Sequence, residues 1–212
     1  MSTPMGVTRK CAVCHTESRQ TVLASTNRFG APDLDLRPPE MMRSTMCWWV
    51  EECPQCGYAA ANLEDLTPVS AVWLQAEDYR TCEGKNFLSP LAARFYKQYM
   101  ILRQSESGEE TFAALLHAAW ACDDAGDEEN ASACRRLALE PLEKLIAENG
   151  DNELLKVQRA DILRRAGLFA TLIAEYEPTA YSEEVHRKIV AFQIEKAKAK
   201  DSACYTLGDV KM

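Results

Sequence analysis

Apolar and polar positions change their period once along the chain, near Thr67. Before that point, short β-branched or aromatic stretches read as strands: Arg19-Gln20-Thr21-Val22-Leu23-Ala24, and Thr45-Met46-Cys47-Trp48-Trp49-Val50. Residues 5–14 lead into a turn between strands, so a hairpin tipped by Cys11 and Cys14 is expected. Between the two stretches, residues 27–43 hold Gly30, Pro32, Asp33, Asp35, Pro38 and Pro39, the composition of an irregular loop. Adjacent Trp48 and Trp49 on a strand would face opposite sides, one of them covering the ribbon's core.

From Thr67 onward apolar residues recur every three or four positions, and turn residues sit where helix caps belong. Thr67-Pro68 predicts a helix striped by Val69, Val72, Trp73 and Ala76 and ending near Gly84. Ser89-Pro90 repeats the device for Leu91, Phe95, Tyr99 and Leu102, and Gly108 precedes a third helix burying Phe112, Leu115, Leu116, Ala119 and Trp120. After Gly126-Asp127 a partner helix carries Ala131, Cys134, Leu137 and Ala138, and Pro141 is expected to break or kink it. Gly150 is the next stop, Leu155, Ile162, Leu163 and Ala166 stripe a helix ending at Gly167, and a short helix over 168–177 closes at Pro178. Ser182 is expected to cap the last helix, with Val185, Ile189 and Phe192 inside, and the tail after Asp201 to fray.

Ala118-Ala119-Trp120, then Gly126-Asp127 and Leu137-Ala138-Leu139-Glu140, resemble one tetratricopeptide unit, with a degenerate second copy from Ala160 to Pro178. An ordinary bundle with glycine turns accounts for the same pattern. The expected fold class is therefore α+β, mostly α: a small ribbon module over residues 1–66 and an all-helical, tetratricopeptide-like or bundle domain over 67–212.

Cysteine spacing adds chemistry to this outline. Cys11-Ala12-Val13-Cys14 and Cys53-Pro54-Gln55-Cys56 are two C-x-x-C hooks, 38 residues apart. Two facing turns that each present two sulfurs suit one tetrahedral metal ion, and four thiolates with no open position describe structural zinc rather than a catalytic centre. Gly57 follows the second hook where a left-handed residue turns backbone N–H groups toward sulfur, and His15 holds the matching place after the first. Iron is the alternative, because Cys-Pro-x-Cys-Gly with a second C-x-x-C also resembles rubredoxin, a one-electron carrier. Dithiol redox at one hook ranks lower, since neither opens a helix that would lower a thiol pKa. Cys47 reads as a small buried hydrophobe on its strand, and Cys82, Cys122, Cys134 and Cys204 as scattered single thiols outside the site.

Charge and composition narrow the partners. An apolar content of 47% supplies a packed core, and a net charge of −8 disfavours broad binding to nucleic acid or acidic membranes. Within the first 66 residues Arg9, Lys10, Arg19, Arg28, Arg37 and Arg43 are offset by eight acids, so a nucleic-acid-associated zinc ribbon ranks below protein binding. Nine cysteines, an odd number, without an apolar export segment fit reduced thiols in a soluble cytoplasmic protein. No apolar run approaches the roughly eighteen residues of a membrane span. His117 and His186 lack a serine, cysteine or carboxylate at a spacing that would make either a base, and the acids at 123–129 read as solvated helix-turn groups. No phosphate loop, nucleophile elbow or histidine metal motif is present, so no enzymatic reaction is expected.

The N-terminal third resembles a bacterial family, domain-of-unknown-function 2225. The residues that carry the resemblance are Cys11-Ala12-Val13-Cys14, Asp33-Leu34-Asp35-Leu36-Arg37-Pro38 and Cys53-Pro54-Gln55-Cys56-Gly57-Tyr58-Ala59. The chain departs from the family pattern at His15, where glycine is common, and at Met41-Met42. The resemblance implies an intracellular protein whose four hook cysteines hold a metal, and it implies no reaction. The combined expectation is a zinc-binding scaffold or adaptor: Cys11, Cys14, Cys53 and Cys56 hold Zn2+, and the helices bind another protein of unknown identity.

Overall fold

The first hook turns a β-ribbon back on itself. In the computed structural model, which describes residues 1–105, 107–150 and 152–211, strand β1 (Thr3–Lys10) pairs antiparallel with β2 (Glu17–Ser25), from Lys10↔Glu17 at the hook to Thr3↔Ser25 at the open end. Most of both strands is exposed, so the ribbon adds little core of its own. The second hook joins strand β3 (Glu51–Glu52) to β4 (Ala59–Ala60), a pair only two residues long.

The expected strand over 45–50 is instead a 3-10 helix at Arg43–Trp48. Local side-chain bonds explain the change: Thr45 Oγ1 donates to the Met42 carbonyl at 2.7 Å and accepts from Trp49 Nε1 at 2.9 Å. These bonds offer the backbone an alternative to a ladder, and burial of Thr45 and Met46 fixes it. Trp48 and Trp49 are thus half-buried on a turn rather than on opposite faces of a strand, and Cys47 is exposed rather than buried.

The helix expected after Thr67 does not form either. Thr67 Oγ1 accepts from Val69 N at 3.4 Å and Ser70 Oγ from Trp73 N at 3.2 Å, giving successive turns that lead to a 3-10 segment at Trp73–Gln75 and the single-turn α1 (Glu77–Arg80). Leu74 and Tyr79 enter the core in place of Val72, which is 82% exposed. Helix α2 (Pro90–Leu102) starts as expected, with Ser89 Oγ accepting from Ala92 N. Helix α3 (Gly108–Asp124) buries all five predicted apolar residues.

Helix α4 (Glu128–Glu148) follows a turn at Gly126, whose φ of +70° favours glycine, and Asp127 caps it. It runs through Pro141 without a break. Proline leaves the Leu137 carbonyl without its helical donor, and that turn lies on the exposed side, where solvent can serve it; the proline ring itself is buried beside Leu142. The buried face is Ala131, Cys134, Arg135 and Ala138, so an arginine takes the place expected for Leu137.

Helices α5 (Glu153–Arg165), α6 (Phe169–Tyr176) and α7 (Glu184–Lys198) complete the chain's helical remainder. Ser182 does not cap α7 through its side chain. Its backbone N–H instead donates to the Glu153 carboxylate at 2.7 Å, which ties the start of α7 to the start of α5. The tail after Asp201 is folded rather than frayed: Tyr205 O accepts from Leu34 N and Leu207 N donates to Pro32 O, both at 2.9 Å, and Val210 is buried. The Pro-rich loop supplies the partners that a free terminus lacks.

Two apolar clusters result. One joins Cys11, Val50, Cys53, Tyr58 and Leu63 to Phe95, Leu115, Trp120 and Cys134, so the hook region packs directly on α2, α3 and α4. The other joins Leu34 and Val210 to Leu163, Leu172, Tyr176 and Ile189. Among the described residues no helix is long and apolar enough to cross a membrane.

Candidate metal centre

Each hook is a tight turn closed by its own backbone. His15 N donates to Cys11 O and Gly57 N to Cys53 O, both at 2.9 Å, and the residues after the hooks take the left-handed conformation expected of them, His15 at φ +61° and Gly57 at φ +75°. The turns face each other. Cys11 Sγ lies 3.7 Å from Cys56 Sγ, Cys14 Sγ lies 3.6 Å from Cys53 Sγ, and all four sulfurs lie within 4.8 Å of one another. Disulfide sulfurs sit at about 2.0 Å, so these are free thiols. A tetrahedron of sulfurs at the usual zinc–sulfur distance of about 2.3 Å has edges of about 3.8 Å, close to both separations. The cluster could therefore hold one metal ion, and a ferric or ferrous ion would take the same shape.

The surroundings act unequally on the sulfurs. Burial alone would raise the Cys14 thiol, but hydrogen bonds from the Thr16 side chain and backbone bring it down to about 6. Burial pushes Cys53 and Cys56 up, although the backbone N–H groups of Cys56 and Gln55 face the Cys53 sulfur and that of Tyr58 faces Cys56. Four thiolates this close repel one another unless a cation lies between them, and a dication supplies that compensation.

Charged latches bring the hooks into register. Glu51, 2% exposed, accepts from Leu63 N at 2.8 Å and from Arg9 Nε at 3.1 Å, and Arg9 also reaches Glu64 at 3.2 Å. Ala12 N donates to Leu63 O at 2.8 Å. On the far side Tyr79 Oη donates to Gly57 O at 2.6 Å, and Lys97 of α2 pairs with Glu52 at 2.7 Å. Arg9, counted among the basic charges of this region, is thus engaged within the fold; Arg37 and Arg43 likewise pair with Asp124 and Asp33.

A second polar cluster lies where the sequence offered only a loop and solvated acids. Asp35 is fully buried, and its Oδ2 accepts from Trp120 Nε1 at 2.7 Å and from Arg165 at 3.1 Å, with Arg135 at 3.6 Å. Arg135 and Arg165 both also reach Asp123, the former through two bonds of 3.1 and 2.6 Å. Gln158 Nε2 donates to the Asp35 carbonyl at 2.8 Å. Burial opposes the Asp35 charge, but Arg165 and Arg135 hold its carboxyl below the ordinary carboxylate range. Nearby, burial and then the Asp35 charge push the Asp161 carboxyl up, against its 2.7 Å pairing with the fully buried Arg164. Arg135 was the available sequence signal, since it shares one helical face with Ala131, Cys134 and Ala138 and so had to bring a buried counter-charge with it.

Fold and cluster together define a mostly helical α+β protein with a four-thiol centre between two N-terminal turns. The chain belongs to the family described as "Uncharacterized protein conserved in bacteria (DUF2225)", which matches residues 7–203. No curated protein and no solved structure matches it.

Proposed function

We propose that Cys11, Cys14, Cys53 and Cys56 hold a zinc ion whose role is structural, and that the protein is an adaptor that binds another protein through its helices. The observation that carries the first half is the closed set of four sulfurs within 4.8 Å, alone among the described residues in its metal-binding potential. A set completed by four thiolates leaves no ligand position for substrate or water, which favours structure over catalysis. Zinc is favoured over iron because the long Pro-rich segment between the hooks and the helical remainder have no counterpart in a small electron carrier. The adaptor half draws on the helix pairs, among which α3 and α4 pack most extensively and correspond to the tetratricopeptide-like repeat of the sequence.

Metal analysis of freshly purified protein is expected to return one zinc per chain and no visible thiolate-to-iron absorption. A coloured, iron-loaded sample would overturn the structural-zinc reading. For the adaptor half, purification from the native host is expected to retain one partner protein at fixed stoichiometry through gel filtration. Recovery of the chain alone would remove that half and leave the metal assignment standing.

A further inference from the structure

Between the second hook and helices α2 and α3 lies a recess of about 440 Å³, within the roughly 300–1,000 Å³ typical of small-molecule sites. Its walls are apolar: Trp49 and Tyr58 from the hook region, the small residues Ala60 and Ala113, and Ile101 and Leu102 from α2. Leu66, 98% exposed, and Pro68 extend the apolar surface at its lip.

His117 lines this recess and is the polar group that distinguishes it. The imidazole is wedged among three aromatic rings, Trp49 at 5.2 Å, Phe95 at 5.1 Å and Trp120 at 5.1 Å between centroids. Among the described residues no protein group hydrogen-bonds its ring nitrogens, and neither nitrogen is a fully buried atom without a partner, so both stay accessible from the recess. Burial lowers its pKa to about 4, so at neutral pH the ring is uncharged and offers one N–H donor and one lone-pair acceptor. Water entering the recess can serve both functions, and a ligand that displaces it has to offer the same hydrogen bonds to keep the exchange favourable.

Charge selects among ligands. The formally charged groups on the described lining are Asp65 and Glu110, both acidic, with no lysine or arginine. The protein's net charge of −8 acts in the same direction. Anions are therefore repelled, while a cationic substituent gains at the mouth.

From this geometry we infer that the recess is a binding site for a small, flat, uncharged or cationic aromatic molecule that hydrogen-bonds His117. The aromatic body fills the space between Trp49, Tyr58 and Leu102, an N–H or O–H of the ligand meets the imidazole acceptor, and any amine points toward Asp65 and Glu110. This site is distinct from the thiol centre, yet Tyr58 and Ala59–Ala61 follow Cys56 with only Gly57 between, so the order of the second hook shapes one wall.

The test uses the metal-loaded full chain and four probes: indole, its isostere benzofuran without the N–H donor, tryptamine, and indole-3-acetate. Binding is followed by nuclear magnetic resonance, through the probes' own resonances in every variant and the His117 ring in the wild type. Indole is expected to saturate with a Kd of about 1 mM or tighter, consistent with its few heavy atoms. Tryptamine is expected to bind at least about tenfold more tightly than indole-3-acetate, the effect of two carboxylates at the mouth. His117→Phe keeps the ring packing and removes the hydrogen bond, so it should erase the preference of indole over benzofuran, about fivefold to tenfold for one such bond. Ala113→Leu, which fills the recess from a partly exposed position, should abolish binding of all four. Absence of a saturable His117 shift up to about 10 mM probe, equal binding of anion and cation, or an unchanged indole preference in His117→Phe would each overturn the assignment.

Discussion

Replacing Asp35 by Asn tests whether the buried carboxylate pins the Pro-rich loop to the helices. The substitution is nearly isosteric, and an amide oxygen can still accept from Trp120 Nε1, so cavity formation does not enter. What disappears is the negative charge that faces Arg165 at 3.1 Å and Arg135 at 3.6 Å, both arginines being almost wholly buried, together with the Oδ1 acceptor that meets Arg37 N at 3.2 Å. Asp123 continues to compensate both, which limits the damage to less than that of an orphaned charge. Breaking a buried pair by removing one partner costs about 3–5 kcal/mol, so the lower end, about 3 kcal/mol, is expected. For a chain of this length that corresponds to a fall in Tm of roughly 6–12 °C.

Chemical and thermal unfolding followed by circular dichroism measures this directly. Glu140→Gln is the internal control: Glu140 pairs with Lys144, but both side chains are mostly exposed, at 77% and 65%, and such pairs contribute about 0–1 kcal/mol. A loss below about 1 kcal/mol for Asp35→Asn, or an equal loss for the two variants, would refute the view that this carboxylate is a pin. The variant has a second signature. Because the Asp35 charge helps push Asp161 up, Asp161 should titrate at lower pH in Asp35→Asn than in the wild type.

Cys53→Ser should lower the metal content of the purified protein and expose the N-terminal third to proteolysis while most far-UV helix signal remains; metal content equal to that of the metal-loaded wild type would show that Cys53 is not a ligand. For His117, whose folded pKa of about 4 lies below its ordinary 6.5, the neutral form is favoured by folding, so stability is full above pH 6.5 and declines as pH falls toward 4. The loss should reach about 3 kcal/mol by pH 4 and be absent in His117→Phe; identical pH profiles would count against the burial of this ring. Glu153 is held at about 2 by hydrogen bonds from His186 and from the Ser182 backbone, so its contribution is present above the ordinary 4.5 and is lost as pH falls from there toward 2. Carbon-13 titration of the Glu153 carboxyl should give a midpoint well below 4.5, and an ordinary midpoint would mean that α7 is not tied to α5 through this group.

Elements whose caps and stripes agree with one another were legible in the sequence. Ser89-Pro90, Gly126-Asp127 and Gly167 each mark a boundary that local chemistry alone enforces, and the left-handed residues after the two hooks follow from the turn that presents both sulfurs. Reading failed where one residue's side chain outcompeted the regional pattern. Thr45 and Ser70 bond to nearby backbone or side-chain groups and convert an expected strand and an expected helix into 3-10 turns. It failed again where partners are remote: Asp35 meets Trp120, Arg135 and Arg165 from 85 to 130 positions away, and Tyr205 meets Leu34 across nearly the whole chain. Periodicity carries no information about such pairings, although a tryptophan N–H and an arginine on buried helical faces both announce that a polar partner must arrive.

These remote contacts change what the long segment between the hooks does. A metal that closes a loop of 38 residues works against its entropy, and the cost grows only with the logarithm of loop length. Length by itself is therefore tolerable, but slack would leave the two turns free to misalign. Here the slack is taken up. Asp35 is held by α3, α4 and α5, Asp33 by Arg43 and by the returning tail, and Thr45 and Met46 are buried in the stretch that leads to the second hook. The segment thus approaches Cys53 along a fixed path, and Glu51 sets the last step by joining Arg9 to Leu63. The sulfurs come to within 3.6–3.7 Å across the two turns because the helices fix the route between them. On this argument the helical remainder preorganises the thiol centre, and a metal held there would stabilise mainly the exposed β1–β2 ribbon, which has the least packing of its own.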